Sequence, residues 1–108
     1  MKARVPQGPS RAQMMQQFQK LQEDMASAQA VLEDKTYHVT AGGGAIEVDI
    51  TGRREVTSVV LKPEVVAPDD IEFLQDLIKE GVNEAIRTCN QDAEETMNAL
   101  TGGLNLGM

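Results

Sequence analysis

A chain of 108 residues is long enough for one domain with a modest core and too short for a second. A single cysteine excludes an internal disulfide, and three aromatic side chains (Phe18, Tyr37, Phe73) leave the core to Val, Ile, Leu, Ala and the flexible Met, a set often completed by another subunit. The net charge of −7 argues against generic polyanion binding, yet its distribution matters more: residues 1–20 carry +4 with no acid, residues 21–62 carry −3 and residues 63–108 carry −8.

The opening Met1-Lys2-Ala3-Arg4-Val5-Pro6-Gln7-Gly8-Pro9 is charged but has no apolar run behind it. It reads as a flexible basic extension over residues 1–9 and not as a signal peptide. No stretch reaches the roughly 18 apolar residues of a membrane helix, and a lone thiol fits a reducing compartment, so the expected location is the cytoplasm without membrane contact.

Ser10 followed by Gln13 forms a capping-box pattern, which predicts a helix from Arg11. Its apolar residues Met14, Phe18, Leu21, Met25, Ala28 and Leu32 alternate spacings of four and three. That heptad seam is narrow, so the expectation is core packing against one long partner helix. Gln16, Gln17, Gln19, Lys20, Gln22 and Glu23 make the polar side.

Three short strands follow. Residues 36–41 set Tyr37 and Val39 against His38 and Thr40, and Gly42-Gly43-Gly44 makes the first turn. Ile46, Val48 and Ile50 then alternate with Glu47, Asp49 and Thr51, a half-buried pattern, before the second turn at Gly52-Arg53-Arg54. In residues 55–61, Val56 and Val60 share one parity while Val59 and Leu61 share the other. Such a strand is either bulged or covered on both faces. The chain has too little left to cover a second face, so a second copy is the expected cover, with a dimer interface on Val56, Val59 and Leu61.

The last helix opens on a second capping box, Asp69 with Glu72, and its stripe reads Leu74, Ile78, Val82, Ala85, Cys89, Ala93, Met97, Leu100 before Gly102 and Gly103 stop it. Some thirty residues at 1.5 Å each span about 45 Å, against about 20 Å for a six-residue strand. Part of the helix must therefore leave the sheet and run antiparallel to the seam of the first. The fold class is α+β: helix, three-stranded antiparallel meander, long helix, in one domain over residues 10–108. The arm so formed would carry residues 1–14 and 95–108 at its tip.

Catalytic chemistry finds little support. His38 and Cys89 are single and lie on different elements, so no nucleophile, base and orienting group can be assembled. Glu47 and Asp49 share a strand face that reads as solvated, and Asp69 and Asp70 serve as cap and dipole partners of the last helix. The triple glycine leads into a strand and lacks a following lysine, so it is a hairpin turn and not a phosphate cradle. No metal, cofactor or small-molecule substrate is expected.

Lys20-Leu21-Gln22-Glu23-Asp24-Met25, Ala41-Gly42-Gly43-Gly44 with Ile46-Glu47-Val48, residues 70–78, Asn83-Glu84-Ala85 and Met97 with Thr101-Gly102-Gly103-Leu104, in that order, resemble the YbaB/EbfC family of small bacterial nucleoid-associated proteins. Gly81 departs from the pattern, standing where the family favours alanine, and suggests a bend or a close contact. The resemblance implies a homodimer with protruding helical arms likened to tweezers, binding double-stranded DNA with little sequence preference in the nucleoid. It implicates the arm tips as a region. The basic and amide residues of that region, Lys2, Arg4, Arg11, Gln13, Gln17 and Lys20, are the expected DNA contacts. A rival reading is an adaptor whose acidic last helix (Asp76, Glu80, Glu84, Asp92, Glu94, Glu95) docks a basic partner or mimics nucleic acid.

Overall fold

A computed structural model describes residues 10–102 of the chain. Helix α1 (Arg11–Asp34) leads into β1 (Thr36–Ala41), a 3-10 turn at Gly42–Gly44, β2 (Ile46–Thr51) and β3 (Val56–Leu61). A second 3-10 turn (Pro63–Val65) precedes α2 (Ile71–Thr101). The strands form one antiparallel sheet in the order β1-β2-β3. The expected helix, meander and long helix are all present.

Local chemistry fixes the boundaries. The Gln13 amide donates to Ser10 Oγ at 3.1 Å while the Ser10 amide donates to Gln13 Oε1 at 2.8 Å, closing the capping box at the start of α1. At α2 the cap is Asp70, whose carboxylate accepts from the Phe73 amide at 3.3 Å, one residue later than the sequence suggests. Gly42, Gly43 and Gly44 all take positive φ (60°, 67° and 91°), which explains why the first hairpin turn is built of glycine.

The core lies between the sheet and the first half of α2. Ile46, Val48 and Ile50 of β2 are fully buried, and Leu77, Gly81, Ala85 and Cys89 of α2 form the ridge that covers them. Twelve residues of helix, about 18 Å, match the length of a six-residue strand. The ridge corrects the expected stripe, because Leu77 and Gly81 are buried while Ile78 is 36% exposed. Gly81 accounts for the difference. A Cβ there would lie 2.9 Å from Ile46 Cδ1, so the missing side chain lets the helix approach the sheet closely, and α2 runs unbroken through it.

The edge strand β3 departs from simple alternation. Its pairing with β2 shifts register between Asp49 and Ile50: Ser58 pairs with Asp49 but Val56 pairs with Ile50, leaving Thr57 as the extra residue of a bulge. The bulge rephases the strand. Val56, Val59 and Leu61 now share the face of Ile50, Val48 and Ile46, and Val60 joins Glu47 on the other. Because α2 packs over β1 and β2, Val56 and Val59 stay 42% and 45% exposed and Leu61 is half-buried.

Candidate nucleic-acid interface

The geometry of the arm begins where α2 leaves the sheet. Asp92 accepts from Lys35 Nζ at 2.8 Å and from the Tyr37 hydroxyl at 2.6 Å, while Arg54 Nε donates to the Asn90 side chain at 2.9 Å. The Lys35 bond, then the Tyr37 bond, holds the Asp92 carboxyl below the ordinary carboxylate range. Burial first, and the bond to Asp92 second, pushes the Tyr37 hydroxyl upward. Gly52 locks α1 to the same corner: its amide donates to the Lys35 carbonyl at 2.9 Å, and a Cβ on it would sit 1.6 Å from the Leu32 carbonyl oxygen. Only backbone without a side chain fits that crossing. The side-chain pairs join residues 36 to 57 apart and follow no local pattern, so no motif in the chain announces them.

Beyond Asp92, α2 runs beside α1, with Leu32 buried and Met25, Ala28, Ala93, Met97 and Leu100 half-buried between them. The inner part of the seam is therefore core, as its spacing predicts. The outer part is not. From Lys35 back to Arg11, α1 reaches about 36 Å, whereas α2 continues only about 14 Å from Asp92 to Thr101. Every residue of 11–20 is exposed, including Met14, Met15 and Phe18 at 58%, 59% and 60%, which corrects the expectation that Met14 and Phe18 pack in a core.

The expected DNA contacts fall on that stretch in part. Lys2 and Arg4 lie outside the described residues. Arg11, the first residue of α1, and Gln17 are exposed. The Gln13 oxygen is engaged in the cap, and Lys20 makes a loose pair with Asp24 at 3.6 Å. Residues 11–20 contain two cations and no acid. Of the second-turn arginines, Arg53 faces Glu33 and Asp34 at 3.8 and 4.0 Å, and Arg54 is tied to Asn90 despite its positive φ of 66°.

The other titratable cluster lies on the sheet face away from α2. His38 sits between Asp49, 2.6 Å from Nδ1, and Glu47, 3.1 Å from Nε2. Hydrogen bonding to Asp49 is the main cause raising its pKa above 6.5. Both ring nitrogens are thus engaged by carboxylates, an arrangement that favours the doubly protonated ring. Cys89 is buried, its Sγ 3.6 Å from the Thr51 carbonyl oxygen. Among the described residues no three His, Cys, Asp or Glu side chains converge as metal ligands, and no helix is long and apolar enough to cross a membrane.

A solved structure of an uncharacterized protein, HP0035, from Helicobacter pylori superposes with a TM-score of 0.65, covering 82% of this chain and 92% of that one. At 14% identity the likeness is one of fold. A nucleoid-associated protein of Alkaliphilus metalliredigens is 49% identical over 98 residues, 91% of this chain and 86% of its own length. Another nucleoid-associated protein, from Ruminiclostridium cellulolyticum, is 52% identical over 91 residues, 84% of this chain and 79% of its own. Residues 8–104 match the model of the YbaB/EbfC DNA-binding family, and with nearly the whole chain covered, the protein belongs to that family.

Proposed function

We propose that the protein is a non-enzymatic homodimer of the cytoplasmic nucleoid that grips double-stranded DNA through its arm tips, with low or modest sequence preference. One observation carries this reading: Arg11–Lys20 is an exposed, acid-free helical overhang standing off from a strongly acidic remainder. A dimer of charge −14 must hold its anionic body away from the duplex. A separation beyond about 10 Å suffices at 0.1 M salt, since screening removes most of the repulsion over that distance.

The bare side of β3 supports the homodimer. Val56 and Val59 lie beyond the edge of α2, and the helix itself leaves Ile78 and Ile86 36% and 38% exposed. A second copy laid on this apolar surface with its arms directed away from the joint would give two basic tips able to approach one duplex.

Changing Arg4 and Arg11 together to Glu tests the reading. DNA affinity falls by about two orders of magnitude at low salt, through the loss of four dimer cations and the gain of four anions, while the solution mass stays that of a dimer. Unaltered affinity would remove the tips from the mechanism. The adaptor reading draws less support, because several acids of α2 already have partners within the chain: Asp92 with Lys35 and Tyr37, Glu84 with Arg87 at 2.8 Å, and Glu95 with Gln91 at 3.3 Å.

A further inference from the structure

The tip of α1 carries more than charge. Met14 and Phe18 lie four residues apart on one side of the helix, with Met15 beside them, and all three are more than half exposed. Arg11 stands one turn before Met14 on that same side and Gln17 flanks it. A purely electrostatic grip needs none of these apolar groups, and a bare apolar cluster at the extremity of a charged molecule marks a contact surface. The two cations and absence of acids in Arg11–Lys20 favour an anionic occupant over a second identical tip, which would bring like charges together.

Resting on the DNA reading above, we propose that Met14 and Phe18 form an apolar wedge that enters the minor groove and partly unstacks one base step, kinking the duplex. A helix 10–12 Å across, roughly, does not fit a minor groove about 6 Å wide, but the side chains of one face do. Apolar wedges flanked by Arg and Gln suit that groove, where the flanking groups engage its polar floor and the adjacent phosphates. Pyrimidine–purine steps unstack most readily, so the wedge supplies a preference for flexible sites without base-specific hydrogen bonds. A dimer would place two such wedges.

The experiment uses the full chain and a duplex carrying 2-aminopurine at a central TA step and a donor–acceptor pair on its ends. Binding of the unmodified protein raises 2-aminopurine fluorescence severalfold and brings the ends together, and it favours the TA duplex over a stiff A-tract about tenfold. The double variant Met14→Ser, Phe18→Ser, altered only at exposed positions, keeps its thermal melting and its salt dependence of binding but loses the fluorescence rise, the bend and the TA preference. Saturable, salt-dependent binding without unstacking, or unstacking unchanged in the variant, overturns the wedge and leaves the DNA reading standing. A variant whose solution mass falls below that of the unmodified protein also overturns it, since the face would then join copies of the chain. Absence of any saturable binding near about 50 mM salt overturns both the wedge and the DNA reading.

Discussion

Two glycines with opposite reasons for being glycine illustrate what single residues contribute. Gly52 is required by space: an added Cβ would fall 1.6 Å from a backbone oxygen of Leu32, where no side-chain adjustment brings relief. Gly43 is required by conformation alone, having φ of 67° and nothing within 4 Å of the added atom. Gly52→Ala should therefore cost about 3 kcal/mol or more, lowering the melting temperature by about 10 °C or more, whereas Gly43→Ala should cost only about 1–2 kcal/mol. Equal melting temperatures for the two variants would contradict the close crossing of the β2–β3 turn over the end of α1.

His38 is the only histidine, so one imidazole resonance reports its site. Its pKa is raised in the folded chain, chiefly by the bond to Asp49, above the 6.5 of a free side chain. The stabilisation from this contact is thus complete below about pH 6.5 and disappears as pH rises through the folded value. An NMR titration should show a midpoint above 6.5 that moves down in Asp49→Asn. A midpoint that ignores the substitution would mean that the carboxylate does not hold the ring.

Among the elements, β3 departs most instructively from a simple alternation. Its mixed pattern reads as a bulge or a two-sided cover, with a second copy expected to cover the second face; the shift at Thr57 instead shows the bulge and gathers Val56, Val59 and Leu61 on one face. That leaves one apolar face partly bare, and the proposed dimer joint rests on it. Val59→Asp should convert the dimer to a monomer in sedimentation, with helix content retained, because a side chain already 45% exposed contributes little to the fold of the single chain. A dimer of unchanged mass would move the joint elsewhere.

Much of this architecture was legible in the sequence because its signals are local: the Ser10–Gln13 box, the triple glycine, the alternation of Ile46, Val48 and Ile50 and the length of α2. The less legible features depend on what an element meets. A heptad seam records that α1 can pack on a helix but not how far that helix extends, so Met14 and Phe18 read as core although α2 ends short of them. Likewise an apolar stripe passes over Gly81, yet the helix packs closely on Ile46 of the sheet at that residue. Of the candidate site, the sequence marks Arg11, Gln17 and Lys20 as the basic and amide face; the capping role of Gln13 is visible in the same residues that suggest a DNA contact.

For the whole molecule, charge separation is the governing quantity. Four cations in the first twenty residues are carried on and ahead of α1, while the remainder bears −11. The corner of Asp92, Lys35, Tyr37, Arg54 and Gly52 fixes the direction in which α1 and α2 leave the sheet, and so sets where the basic end stands relative to the acidic body. In the proposed grip, binding by such a tip is governed by counterion release from the phosphates it neutralises, and sequence enters only through the ease with which a site deforms.

A titration of labelled duplex across salt concentrations tests the arm-tip grip most directly. If Lys2, Arg4 and Arg11 of both subunits meet phosphates, about six counterions leave and log K falls against log salt with a slope near −5. A slope close to zero, or no association near about 50 mM salt, would contradict the proposed grip of the arm tips on DNA.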